Sequence, residues 1–255
     1  MANEPKDFGE GGVFILGGSG GLGSAICRGF AAAGVPVALT YRTNSQAADL
    51  VADDVRSKGV EARTYAIDGA DIASITAAMA DAAAAFGGLH SVIYAGGPTF
   101  EPEYFGKTKQ SVWREWLEGD LLAAINLAQA GLPHLRQSRG AYVAVSTYQA
   151  DLIEVRGAPS AISKAAVDRM VAVIAKEEGR FGVRANTVRC GWFDVEANQR
   201  LFEKYPGLRE EKVKGIPLRQ LGQPEDIANV MLFLCSRRAA FVTGINLTAD
   251  GGESL

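Results

Sequence analysis

The residues of this chain best placed to do chemistry begin with a loop of glycines. Val13-Phe14-Ile15-Leu16 is short and apolar, Gly17-Gly18-Ser19-Gly20-Gly21-Leu22-Gly23 follows, and Leu22, Ile26 and Phe30 then recur at helical spacing. A strand, a glycine turn and a helix in that order make a phosphate-binding unit. Glycine is needed where the backbone turns sharply and approaches a ligand that a Cβ would strike. The first turn of the following helix offers free N–H groups and the positive end of its dipole, which suits a pyrophosphate. Gly17, Gly21 and Gly23 fall in G-x-x-x-G-x-G spacing. Flexible turns can show the same spacing, and it is the flanking strand and helix that favour the phosphate reading.

The elements that must position this loop alternate along the chain. Apolar runs and turn signals predict further strands at 36–42, 60–67, 89–94, 141–146, 184–189 and 245–249. Helices are predicted at 46–57, 72–86, 111–118, 121–137, 160–179 and 224–235. Such alternation argues for one α/β domain over 1–255, a doubly wound parallel sheet with helices on both faces. No linker or repeat divides it. Ligands of such sheets sit beyond the carboxyl ends of the strands. The long segment 191–218, with Trp192, Phe193, Leu201, Phe202 and Tyr205 among charges, reads as a lid or as a surface excursion with its own helix.

Composition narrows the function classes. The chain has 255 residues, 47% of them apolar, enough for a sizeable core. Its net charge of −3, with both signs dispersed, leaves no basic patch for nucleic acid or a membrane surface. Cys27, Cys190 and Cys235 lie far apart, and only two histidines are present. That argues against a disulfide framework or a metal site and fits a reducing compartment. Residues 1–10 are polar and acidic, unlike a signal peptide, and no apolar run reaches membrane-spanning length, so a cytoplasmic location is expected. His90 and His134 read as structural or surface residues, and Cys27 and Cys190 are given no redox role.

Nearly the whole chain resembles the short-chain dehydrogenase/reductase family. Its glycine loop is similar to T-G-x-x-x-G-x-G with Leu16 in the threonine position, and Ala95-Gly96 matches the end of N-N-A-G with Ile93 and Tyr94 in place of the asparagines. The most specific part is the tail: Pro217-Leu218-Arg219-Gln220-Leu221-Gly222-Gln223-Pro224-Glu225-Asp226-Ile227-Ala228, then Val242-Thr243-Gly244 and Asp250-Gly251-Gly252. The resemblance implies a Rossmann-type fold, dinucleotide binding and a homotetramer. The helices from Trp113 to Gln137 and from Ser160 to Gly179, more apolar than one sheet face requires, agree with burial against a partner.

Cofactor choice is read at the end of the second strand. A carboxylate there would favour NAD, and an arginine pairs with the 2′-phosphate of NADP. The strand ends Thr40-Tyr41-Arg42-Thr43-Asn44 without an acid, so Arg42 favours NADP(H); the alternative is a solvated surface charge. Asp68 resembles the family's acid that accepts from the adenine amine, although Gly69 departs from the usual valine, and an exposed loop aspartate is the alternative. Gly191 and Phe193 complete the expected cofactor set.

The catalytic set departs from the family pattern of Asn, Ser, Tyr and Lys. Lys164 is kept, Ser160 stands where the tyrosine belongs, Thr147 where the serine belongs, and the asparagine position offers Asp120. Serine is a weaker acid than a phenol of pKa about 10, and shorter, so it does not simply substitute. Lys164 can still hold a nicotinamide ribose and Thr147 a carbonyl, unless the Thr147 hydroxyl is satisfied by nearby backbone. Tyr148, Tyr94, Asp120, water or the substrate are the candidate proton sources. The Pro159-Ser160-Ala161 segment is similar to that of the 2,4-dienoyl-CoA reductases, whose extra tyrosine position holds Gln149 here. The expected function is reduction of a carbonyl by NADPH, with an enoyl or dienoyl thioester reductase as alternative. A nucleotide-binding protein without catalysis, acting as sensor or assembly partner, is the alternative of another class, and a purely structural subunit is a third. Trp192, Phe193, Phe100, Tyr104, Phe105 and Trp113 are candidate walls for an apolar or aromatic substrate, each also suited to the core.

Overall fold

The computed structural model describes residues 7–255; the first six, part of the polar amino-terminal segment, lie outside the described residues. Seven parallel strands form one sheet in the order β3-β2-β1-β4-β5-β6-β7. They are β1 (Gly12–Leu16), β2 (Val37–Tyr41), β3 (Ala62–Ala66), β4 (Leu89–Tyr94), β5 (Ala141–Thr147), β6 (Arg184–Cys190) and β7 (Asn246–Ala249). From β1 the chain moves outward to β2 and β3, then crosses back to β4 on the other side of β1. This reversal opens a crevice at the carboxyl ends of β1 and β4.

Both faces of the sheet are covered, which is why the strands read as continuous apolar runs rather than alternating ones. Val13 and Ile15 of β1 face a core formed with α1 (Gly21–Ala32), α2 (Ser45–Arg56) and α9 (Pro224–Cys235), where Ile26, Phe30, Val55 and Met231 are fully buried. Phe14 and Leu16 face the other core, with α3 (Ile72–Phe86), α5 (Ala123–Ser138) and α6 (Ala158–Glu178). A smaller cluster of Tyr148, Trp192, Leu201, Ile216 and Leu221 sits outside the sheet, where α7 (Glu196–Lys204) and α8 (Leu208–Gly215) interrupt the segment after β6.

One expectation is corrected. In place of two helices at 111–118 and 121–137, the chain is helical without a break from 110 to 138. It begins as α4 (Gln110–Trp116), passes through a π-helical stretch (Leu117–Leu122) and continues as α5. Gly119, a poor helix former, lies in the stretch, and the wider turn seats Asp120 in the interior without ending the helix. Among the described residues no helix is long and apolar enough to cross a membrane, and no three His, Cys, Asp or Glu side chains are grouped to hold a metal ion.

Candidate active site

At the switch point lies a cleft of about 310 Å³ that brings together Gly17, Ser19, Gly20, Arg42, Thr43, Asp68, Gly69, Ala95 and Gly96. The loop that forms its rim has no room for a side chain at Gly17 or Gly23. Gly17 has a φ of 85°, and its N–H donates to Thr40 Oγ1 at 3.1 Å. A Cβ on Gly23 would lie 2.1 Å from the Gly17 carbonyl oxygen, so the first turn of α1 can close on the loop only as glycine. Gly20 caps α1 with no side-chain hydrogen bond, leaving the first-turn N–H groups at the mouth of the cleft free of a cap.

Other expected residues stand behind this surface. Gly18 turns toward the core, where Cys27 Sγ meets its carbonyl at 3.6 Å and burial pushes the thiol up to about 12. Leu22 packs on the same core, and Gly21 lies against Val195 at the start of the segment after β6. Gly191 is pressed against Asp250, and the Phe193 side chain is buried beside Gly222. On the floor, a Cβ on Gly69 would fall 2.5 Å from that of Ala123. Asn126 Nδ2 fixes this turn by donating to the carbonyls of Gly69 at 3.0 Å and Ala70 at 3.2 Å, and Asp68 Oδ1 accepts the Ala70 N–H at 3.0 Å.

Beside the cleft is a buried ionic corner. Lys164 Nζ donates to Asp120 Oδ1 at 2.7 Å and to the Gly96 carbonyl at 3.2 Å. Asp120 is fully buried and accepts two more hydrogen bonds, from the Tyr94 hydroxyl on Oδ1 and from Ser163 Oγ on Oδ2, each at 2.7 Å. The Lys164 ammonium also stands 4.8 Å from the centre of the Tyr94 ring. Burial, reinforced by the Asp120 charge, holds the Tyr94 phenol well above its usual range. Gly97, with a φ of 147°, passes so close that a Cβ would sit 3.3 Å from Asp120 Oδ1.

The remaining candidates lie on the lid side. Thr147 ends β5, and its Oγ1 accepts the Gln149 N–H at 3.3 Å. Ser160 occupies the first turn of α6, four residues before Lys164 and on the same helix face. Tyr148 turns into the outer cluster: its hydroxyl donates to Glu154 Oε1 at 2.6 Å and accepts from Trp192 Nε1 at 3.1 Å. Burial, with the Glu154 hydrogen bond, raises this phenol too. Glu154 also receives Gln149 Nε2 at 2.9 Å and Lys212 Nζ of α8 at 2.7 Å. Burial works against its ionisation, but the bonds from Lys212 and Tyr148 outweigh it and hold the carboxyl below its usual value. Glu253 of the carboxyl-terminal turn is pushed up to about 7, first by burial and then by the neighbouring Glu154 charge, with Lys212 opposing.

Sequence reasoning did not identify Ser163, Asn126, Glu154, Lys212 or Glu253. Only Ser163 left a signal, as a hydroxyl beside Lys164 inside a helix. His90 lies at the amino end of β4, stacked on Phe8 at 5.5 Å, and burial lowers its imidazole to about 4, as suits a structural residue.

The family model described as enoyl-(acyl carrier protein) reductase matches residues 17–254. A 3-oxoacyl-[acyl-carrier-protein] reductase of Staphylococcus aureus is 27% identical over 241 residues, 94% of this chain and 96% of that protein. A 2,5-dichloro-2,5-cyclohexadiene-1,4-diol dehydrogenase of Sphingobium indicum is 31% identical over 244 residues, 95% of this chain and 96% of that one. Among solved structures, a short-chain type dehydrogenase/reductase from Mycobacterium ulcerans superposes with a TM-score of 0.92 at 24% identity, covering 97% of this chain and 91% of its own.

Proposed function

The chain belongs to the short-chain dehydrogenase/reductase family, and on that premise we propose that it is an NADP(H)-dependent oxidoreductase that reduces a carbonyl group on an apolar or aromatic substrate. The observation that carries this reading is the cleft that gathers the glycine loop, Arg42, Asp68 and Gly96. Its residues fit the dinucleotide. The crowded turn at Gly17 and Gly23 and the uncapped start of α1 suit a pyrophosphate. Arg42, beside Thr43, would hold the 2′-phosphate, Asp68 would accept from the adenine amine, and Ala95, Gly96 and Lys164 would hold the nicotinamide ribose. Gly191 and Phe193, which are not part of the cleft lining, would meet the cofactor only through their backbone. When bound, the cofactor supplies a hydride.

The chain's own residues hold the substrate and manage the proton. Lys164 has three N–H donors; two are spent on Asp120 and Gly96, and the third is left for a ribose hydroxyl. Thr147 accepts from the Gln149 N–H and keeps its own proton for the substrate carbonyl. A water held by the Thr147 and Ser160 hydroxyls would give its proton to the alkoxide, the hydroxide left behind exchanging with solvent, since the Tyr94 and Tyr148 phenols are both engaged with carboxylates. The segment 191–218 acts as the substrate lid. Exposed Leu117 and Leu122 on the π-helical stretch and Ile162 and Val173 on α6 support assembly into a homotetramer. The buried thiols fit the cytoplasm.

The same engaged phenols support a second reading, an NADP-binding sensor without turnover. Fluorescence titration with NADPH and NADH, followed by NADPH oxidation with ketones, 3-oxoacyl thioesters and enoyl thioesters, separates the two. Carbonyl turnover is the expected result. Binding without turnover of any substrate supports the sensor, enoyl turnover alone moves the reaction class, and no NADPH binding removes both readings.

A further inference from the structure

Arg156 stands apart from the site just described. It is one of three non-glycine residues with positive φ among the described residues, at 73°. The other two are Arg139, which ends α5, and Arg219. A left-handed arginine in a loop is an uncommon and strained arrangement that points to a task for the side chain. The loop is held in that shape: the Arg156 carbonyl accepts the Glu103 N–H at 3.0 Å, and one terminal nitrogen of the guanidinium donates to the Pro102 carbonyl at 3.0 Å. The guanidinium lies 5.6 Å from the centre of the Tyr104 ring. Its Nε, however, is buried and has no partner. A buried N–H left open is costly, and such groups are rare unless something else satisfies them.

The space beside it is a cavity of about 480 Å³. Phe100, Trp192, Tyr205 and Leu208 give it apolar walls, and Arg156 and Lys212 give it two cations. Its acids are accounted for. Glu154 has both oxygens occupied by Tyr148, Gln149 and Lys212, and Glu211 is exposed to solvent. Lys212 is paired with Glu154, whereas Arg156 pairs with no carboxylate among the described residues, so its guanidinium is the cation of the cavity that no side chain answers. Trp192, one of its walls, donates to Tyr148, the residue that follows Thr147.

We propose that this cavity binds the carboxylate of an organic acid, with Arg156 as its anchor and the aromatic walls around an apolar body. A guanidinium fork matches the two oxygens of a carboxylate. On the reductase reading, on which this inference rests, the substrate is then an apolar or aromatic carbonyl compound that also carries a carboxylate.

Calorimetric titration of the whole protein with 3-phenylpropanoate, 3-phenylpropanamide and 3-phenylpropylamine tests it. The acid is expected to bind at least about tenfold more tightly than the amide, as one charge-assisted bond allows, with the amine weakest. Arg156→Gly deletes the guanidinium at a backbone position glycine adopts freely, so it should keep its melting temperature and lose the preference for the acid. Arg156→Lys should retain only part of it. Amide binding as tight as acid, a preference that survives in Arg156→Gly, or displacement of the acid by equal concentrations of inorganic phosphate would each overturn the assignment. The acid-to-amide comparison in the parent protein holds even if a variant fails to fold. NADPH titrated separately tells the two readings apart: cofactor binding without acid preference removes only the carboxylate site, and acid preference without cofactor binding removes only the reductase.

Discussion

In the glycine-loop cleft the polar groups are left open. The first turn of α1 has no side-chain cap, and Arg42 makes no ion pair among the described residues. At Lys164, across Gly96, the arrangement is reversed: Asp120 accepts from Tyr94, Ser163 and Lys164, and the Tyr148 hydroxyl donates its hydrogen bond to Glu154. A surface waiting for an anion keeps its donors free. A corner built to hold one ammonium in place uses every acceptor it has. The two regions therefore respond differently to substitution, the first through ligand affinity and the second through the stability of the fold.

The largest effect is expected at Asp120. Asp120→Leu leaves the buried Lys164 ammonium without its partner, which costs about 3–5 kcal/mol, read by urea unfolding. The double variant Asp120→Leu with Lys164→Met should recover most of that loss. A single-variant cost below about 1 kcal/mol would mean the corner is not held by this pair.

On the cleft side, Arg42→Asp should leave stability unchanged and weaken NADPH binding by about 1.5–3 kcal/mol, roughly ten- to a hundredfold, while NADH is spared. Equal affinity of the parent protein for both cofactors would break the contrast.

A smaller effect concerns pH. The Glu253 carboxyl is raised to about 7 in the folded protein. Between its unfolded value near 4.5 and about 7 the folded state binds the extra proton, so the contribution is full below 4.5 and is lost as pH rises through 7. The loss is about 1 kcal/mol once solvent screening of this partly buried group is allowed for. Glu253→Gln should therefore be more stable than the parent at pH 8, relative to their difference at pH 4, in melting curves. Parallel pH profiles would contradict it.

Smallest are the hydroxyls. Ser160→Ala should change turnover by no more than about tenfold, and Tyr148→Phe should do no more, since in the proposed mechanism neither supplies the proton. Loss of all activity in Tyr148→Phe would return the tyrosine to the mechanism, and in Ser160→Ala would do the same for the serine.

The cleft was legible in the sequence because its requirements are local. A positive φ at Gly17 and the close approach of Gly23 to it are written as glycines, and the strand-to-helix order around them is carried by apolar spacing. The two-faced burial of Val13 to Leu16 is likewise visible as an unbroken apolar run. The corner was legible only in part. Lys164 and Asp120 could be picked out, but their direct pairing depends on how the helical run through 117–122 packs against α6, which no single stretch specifies. The partners of Tyr148 come from two separate segments, at 154 and 192, and Lys212, which pairs with Glu154, is one of many lysines until α8 folds down and sets it on the Trp192 ring at 4.9 Å.

The π-helical stretch at 117–122 has a consequence for how this chain can change in length. A π turn holds one residue more than the α turn it replaces, while the helix on either side keeps its facing. Removing one residue there would restore a regular helix and leave Trp116 and Ala123 in their present seats, with only the inward displacement of Asp120 lost. The same deletion anywhere else between 110 and 138 would rotate one part of the helix against the other by about 100° and turn buried side chains outward. The π-helical stretch is thus the place in this helix where a residue can be lost without rotating its flanking segments, at the expense of the Asp120–Lys164 pair.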